Sequence, residues 1–493
     1  MHRSAISKYI DSAELALNLI TSGSTNELER PCGTLNNAPT GYANACTPAH
    51  GALVKAIPAK VEPSNMLSLA LILFGSLLRH HYLGGERFQS LQNIAVIIAE
   101  VPMHARNMIK YRTLSLNKQL KLDKHKDKKR FEQFIEKKRN ALLVLPRYDH
   151  SLSRSVVDII DLNNFEVIHT YKHDINEMNN QVRNIDKFPN LKVDNSQIRF
   201  QYFHPLLLED GSLISSSTKS LLFKIDFCSN LKWINEEMFH HSKMLDHEGN
   251  ILIPANLYPK SKYIKNQKII DDAIFKMNTE GEILYKKSII EMLIEKDLPN
   301  KTTLGSYILR GYDDPIHLND IEPALTNTLY WKIGDVFLSS PKLNAIIHYR
   351  PKTNKVLNYI TGPFSVQHDV DIISEKEISI FNNNELGDDT RHSEILIYNF
   401  EKKTFRKKFN NQLQKENFKT SNNGLSHTLN DGSLLVEEQN HGRLILFNNK
   451  GEKEWEYVNK DKNGDIGFIS WSRVIENDTM IKKIKTIIKD KEC

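Results

Sequence analysis

The sequence predicts an all-β protein: a six-bladed β-propeller of four-stranded antiparallel blades, preceded by an N-terminal helical anchor segment. Three observations carry this. From about Ala141 to about Ile475, short runs of β-branched and aromatic residues alternate with Asn, Asp, Gly and Lys turns. Six segments in that stretch share one grammar, an apolar run, a polar turn and a second run, and they recur at roughly fifty to seventy residues, near the length of a four-stranded blade with loops. Five of the six are preceded by a second unit with a histidine at or near its start.

Residues 1–65 come first, rich in Ala, Ser, Thr, Asn, Gly and Pro without hydrophobic period, which predicts a disordered extension. Residues 66–140 read as a signal-anchor and a charged helical linker. Met66 to Leu78 is apolar apart from Ser68, Gly75 and Ser76, and Arg79, His80 and His81 follow directly. A membrane-spanning helix needs about 20 residues, so this run suggests the apolar part of an export signal or a short uncleaved anchor, with a buried helix as the alternative. The run KLDKHKDKKRFEQFIEKKR predicts a solvated helix or a membrane-surface contact.

The propeller is expected over residues 141–480. Its hairpins are SVVDIIDLNNFEVIHTY from Ser155, LLFKIDFCSNLKW from Leu221, AIFKMNTEGEILY from Ala273, AIIHYRPKTNKVLNY from Ala345, EILIYNFEKKTFRKKF from Glu394 and LILFNNKGEKEWEY from Leu444. The preceding units are HPLLLEDGSLISSS from His204, HHSKMLDHEGNILIP from His240, HLNDIEPAL from His317 with GDVFLSS from Gly334, QHDVDIISEKEISIF from Gln367 and SHTLNDGSLLVEE from Ser426. RYDHS at Arg147 is a looser sixth. A single blade cannot bury both faces, so blades stack in a ring whose innermost strands line an axis.

Charge and cysteines narrow the function. Lys and Arg number 66 against 60 Asp and Glu, a formal charge of +6, which does not imply nucleic acid as a partner. Cys32, Cys46, Cys228 and Cys493 show neither metal-ligand spacing nor a disulfide framework. His204, His241, His317, His368 and His427 stand at one phase of the repeat, with His240 beside His241, so a propeller would gather them at one mouth of its channel. Such histidines can cap strands, bind zinc or copper, or act as nucleophile and charge stabilisers around a small anionic group, with protonated neighbours neutralising its oxygens. No phosphate-binding glycine loop is present, so a nucleotide donor is not expected.

Four stretches, HHSKMLDHEGNI at His240, HLNDI at His317, GPFSVQHDVDI at Gly362 and ISIFNNN at Ile378, resemble the bacterial arylsulfotransferases, and especially their shorter, divergent branch. The resemblance implies transfer of a sulfuryl group from a phenolic sulfate to a phenolic acceptor through a sulfohistidine, without cofactor or nucleotide sulfate. It further implies His368 as nucleophile, with His241 and His317 steadying the sulfate oxygens, and an exported, periplasmic protein attached to the inner membrane by its N-terminal segment. One departure stands out: an arginine of the family falls where this chain has Pro341 in FLSSPKLNAII, leaving Lys342 or Arg443 as nearby sources of charge. Two other readings stay open, a non-catalytic propeller that binds a ligand or partner and a metal-dependent hydrolase.

Overall fold

A computed structural model of the chain describes residues 63–83, 87–113, 122–183, 197, 199–264, 269–295, 305, 313–385 and 391–493. The expected extension over residues 1–65 lies outside them except for 63–65. The chain divides into two compact units, Met1–Lys110 and Tyr111–Cys493. The first holds helix α1 (Pro63–Tyr82) and most of α2 (Gln89–Thr113). The predicted anchor run lies within α1, but the anchor is not supported: no helix among the described residues is long and apolar enough to cross a membrane. The run of 13 residues from Met66 to Leu78 is flanked inside the helix by Pro-Ser-Asn and Arg-His-His, which shortens the apolar stretch well below the ~20 residues a span requires.

The second unit is a propeller-like array of antiparallel sheets. Strand β1 (Phe131–Gln133) comes from the charged stretch expected to be a linker. It is followed by β2 (Leu142–Asp149), β3 (Arg154–Asp161) and β4 (Glu166–Tyr171). Next come β5 (Phe203–Leu207), β6 (Leu213–Ser216), β7 (Ser220–Ile225) and β8 (Leu231–Phe239). Strands β9 (Met244–Leu245), β10 (Ile251–Asn256), β11 (Asp272–Met277) and β12 (Ile283–Ser288) follow. Then β13 (Asp320–Pro323), β14 (Val336–Ser340), β15 (Ala345–Arg350) and β16 (Lys355–Ile360) form one sheet. Another contains β17 (Val370–Ser374), β18 (Glu377–Asn382), β19 (Glu394–Asn399) and β20 (Thr404–Lys408). The chain ends with β21 (Leu425–Thr428), β22 (Leu434–Glu438), β23 (Arg443–Phe447), β24 (Lys453–Val458) and β25 (Arg473–Ile475). Its short helices are α3 (Ile175–Asn180), α4 (Ile289–Glu295) and α5 (Asn410–Lys415), with α6 (Asp478–Asp490) at the C-terminus.

All six predicted hairpins form, as the third and fourth strands of their units. Six separate blades do not. Four sheets stand alone, whereas β5 to β12 join into one eight-stranded sheet because β8 pairs with β10 at Phe239↔Ala255 and Met238↔Asn256. Second and third strands are buried on both faces, as in Val336–Ser340, while fourth strands such as Thr404–Lys408 face solvent on one side. Apolar side chains interlock between successive groups of strands: Val144 with Phe223, Leu222 with Ile253, Ile274 with Leu338, Phe337 with Ile380, Ile397 with Val436, and Leu446 with Leu143 share clusters in turn. The chain of cores therefore returns to its start.

Two further expectations are corrected. The first strand beside β2 is not built from RYDHS, which lies at the end of β2; β25 from the far end of the chain pairs there, Val144 opposite Arg473. The cysteines, read as offering no disulfide framework, do supply one bond: Cys228, in the turn between β7 and β8, is disulfide-bonded to Cys493 just after α6. Helix α6 has Asn477 as its N-cap and buries Ile481 and Ile484 against the core of β2, β3 and β7.

Candidate functional site

Six non-glycine residues in left-handed conformation precede or open the first strands of these units: His204 (φ 43), His241 (φ 53), His317 (φ 53), Val366 (φ 56), Asn423 (φ 66) and Trp471 (φ 59). A bulky residue held there costs about 1–3 kcal/mol, a strain that concentrates at functional sites. This corrects the single histidine phase expected from the repeat. His204, His241 and His317 share it, whereas His368 stands two residues beyond Val366 and His427 four beyond Asn423.

Three of the expected histidines come together. The rings of His241 and His317 lie 5.2 Å apart in an edge arrangement, and His368 is close enough that a positive charge on it or on His317 would disfavour one on His241. His317 Nδ1 is 2.7 Å from Asp314 Oδ2, and its backbone N–H donates to Asp314 Oδ1 at 3.1 Å. Burial would raise the Asp314 pKa, but the hydrogen bond and charge of His317 and the charge of Lys219, whose Nζ is 3.7 Å away, bring it down to about 2. His368 is buried. Its Nδ1 lies 2.7 Å from Asn383 Oδ1 and 3.0 Å from the Val366 carbonyl, and its Nε2 accepts from the Asn423 N–H at 2.8 Å. Both amide protons of Asn383 go to carbonyls, of Thr420 and Asn423, each at 2.7 Å, so its oxygen must face the imidazole. The proton of His368 therefore sits on Nδ1 and the lone pair on Nε2.

Burial sets the charge of these rings. It lowers His368 to about 4, with the His317 charge adding to it and the bonds to Asn383 and Val366 opposing. His241 is held well below the usual histidine range, by burial first and then by His240, His317 and His368. The expectation of protonated neighbours is thus corrected at His241, a neutral ring that can offer an N–H without a charge. His240, also buried, has Nδ1 2.9 Å from His241 Nδ1 and Nε2 3.3 Å from Asp272 Oδ1.

The other candidates lie elsewhere. His204 and His427 line a separate cavity of about 190 Å³ with Arg473, Asp320, Asp369 and Asp371. His204 Nδ1 accepts from the Lys243 N–H there, and burial followed by the Arg473 charge lowers His427 to about 4. Arg443 is fully buried among Glu416, Glu438 and Glu456 and supplies no charge to the histidines. Lys342 is exposed on the turn that Pro341 opens after β14. The one group among the described residues with three ligand atoms within 4.8 Å of one another is His150, Asp461 and Asp465, apart from the histidine cluster.

Sequence reasoning missed Asn383, Asp314, Asp272 and Lys219. Asn383 lay inside the quoted FNNN, and Asp314 three residues before His317; the other two gave no signal. It also missed the buried charges at the first strands. Burial pushes Asp320 up to about 6 and Asp371 up to about 8, and lowers Arg473 to about 10 against the pull of these carboxylates.

Among solved structures, the chain is similar to a Bacteroides caccae protein of unknown function (12% identity, 69% of this chain and 100% of that one, TM-score 0.44). It is also similar to TolB from Acinetobacter baumannii (10%, 68% and 66%, 0.40) and to virginiamycin B lyase from Staphylococcus aureus (11%, 52% and 70%, 0.31). No curated protein matches the chain. The family described as Arylsulfotransferase (ASST) matches residues 204–460, just over half of the sequence and all three clustered histidines. The chain belongs to the arylsulfotransferase family.

Proposed function

We propose that the protein moves a sulfuryl group from a phenolic sulfate to a phenolic acceptor through a sulfated His368, with no nucleotide sulfate. The observation that carries this is the fixed tautomer of His368, neutral and with its lone pair on Nε2. Nε2 attacks sulfur while the bond from sulfur to the aryl oxygen breaks, and the electron pair leaves with that oxygen. The acceptor oxygen then attacks sulfur, the S–N bond breaks, and its electrons return to Nε2. His241 and His317 stabilise the sulfate oxygens as hydrogen-bond donors. Donor binding displaces the Asn423 N–H, which caps Nε2 in the resting site.

Pro341 stands where the resemblance places an arginine, and among the described residues Lys219, 3.7 Å from Asp314, brings a cation beside the cluster. That departure favours a second reading, a propeller that binds aryl sulfates without transferring them. We also propose six blades, counting β5–β8 and β9–β12 separately, supported by the six left-handed residues and the returning chain of cores. Export to an oxidising compartment is proposed on the Cys228–Cys493 bond. Mass spectrometry after exposure to 4-nitrophenyl sulfate should find a sulfate adduct on His368, absent in His368→Ala. Binding of the sulfate with no adduct would favour the second reading.

A further inference from the structure

Sulfuryl transfer between two phenols leaves one proton to account for. A phenol of pKa about 10 leaves poorly as its anion, and the acceptor must lose its own proton as it attacks. His368 cannot carry that proton, since Nδ1–H is committed to Asn383 and the Val366 carbonyl and Nε2 forms the bond to sulfur. His317, whose Nδ1 is bound to Asp314, keeps its Nε2–H on the sulfate oxygens throughout. His241 is different, because behind it stands a second imidazole and then a carboxylate.

We propose that Asp272, His240 and His241 form a relay that lends one proton to the departing phenolate and recovers it from the acceptor phenol. The proposal rests on the sulfotransferase reading. The three groups are buried and in contact in turn: His241 Nδ1 to His240 Nδ1 at 2.9 Å, and His240 Nε2 to Asp272 Oδ1 at 3.3 Å. The carboxylate is fixed from two sides, with Oδ2 accepting the Leu318 N–H at 2.7 Å and Oδ1 accepting the Asn256 amide at 2.8 Å. That amide also lies 3.4 Å from His240 Nε2. The contact with Asp272 is an ion pair only when His240 is protonated, and in the loaded relay that charge outweighs the long neutral contact with Asn256, so that Nε2 then keeps its proton.

The proton count closes. In the loaded relay His240 carries protons on both nitrogens beside Asp272, and His241 carries one on Nε2. As the S–O bond breaks, the His241 Nε2 proton leaves its hydrogen bond to a sulfate oxygen for the departing aryl oxygen, His317 continues to hold the sulfate, and the proton on His240 Nδ1 moves to His241 Nδ1. Both rings are then neutral, with the lone pair on His241 Nε2. The acceptor phenol returns a proton to that lone pair, and the internal proton moves back. The positive charge thus rests beside Asp272 and never on His241, in keeping with the burial that disfavours charge there. His240 and Asp272 act through His241 and are positioning residues.

The test compares two donors in the first half-reaction, measured as adduct formation by rapid quench. Phenyl sulfate needs the proton; 4-nitrophenyl sulfate, whose phenolate leaves readily, does not. Asp272→Asn and His240→Gln should each slow sulfation by phenyl sulfate about 100-fold, while 4-nitrophenyl sulfate reacts within a few-fold of the unaltered protein, which also reports an intact site. Equal slowing of both donors in either variant overturns the relay and leaves the transferase reading standing. Failure of the unaltered protein to form an adduct with either donor overturns both.

Discussion

At His368 one side chain decides which nitrogen keeps the proton. The Asn383 oxygen holds the proton on Nδ1, and burial brings the ring to about 4. The sign follows: above that value the ring is neutral and nucleophilic, and below it the lone pair is lost to a proton. Sulfation by 4-nitrophenyl sulfate is expected to be flat from pH 8 to about 5 and to fall about tenfold per unit below about pH 4. Asn383→Ala should slow it about 10–100-fold and move the falling limb to lower pH, because the lost bond is one that raises the pKa. A pH series by rapid quench checks both; an unmoved limb would remove Asn383 from its role. His368, His317 and His241 were legible because each sits in a short motif. Asp272 was not, because it meets Leu318 across 46 residues and bonds a neighbouring strand.

Among elements, the hairpins were the most legible, since alternation of apolar and polar residues in a strand is a local property. The histidine phase was misread for an equally physical reason. A left-handed residue before a strand sets where the strand starts, so counting from the hairpin does not tell which residue occupies it. Strand β23 gives a second lesson. Arg443 looked like a spare cation, but its guanidinium is buried against Glu416, Glu438 and Glu456, and Glu438 also meets His125 and Lys124. Removing the arginine takes away the cation shared by all three carboxylates and leaves them to Lys124, His125, Lys128 and Lys453 at the margin of the cluster. Arg443→Ala should therefore cost about 3–5 kcal/mol of stability, read as a lower urea midpoint, with adduct formation at His368 unchanged in the folded protein. A midpoint within error of the unaltered protein would contradict this.

For the molecule as a whole, closure depends on the C-terminal end. Strand β25 pairs with β2, α6 packs its isoleucines beneath them, and the Cys228–Cys493 bond ties the last residue to the turn after β7. Cys493→Ser should lower stability by about 2–4 kcal/mol while leaving sulfation at His368 intact; equal denaturation curves with and without reductant would show that the bond contributes nothing. The sequence by itself determined the strands, their repeat and three histidines with the motifs around them, because short-range patterning and motif spacing are written in adjacent residues. Only the tertiary structure decided that β5 to β12 share one sheet, that β25 completes the first, that His204 and His427 line another cavity, and that His240 and Asp272 stand behind His241. Those depend on which strand ends meet across the axis, and contacts between residues far apart in the chain leave no periodic mark in it.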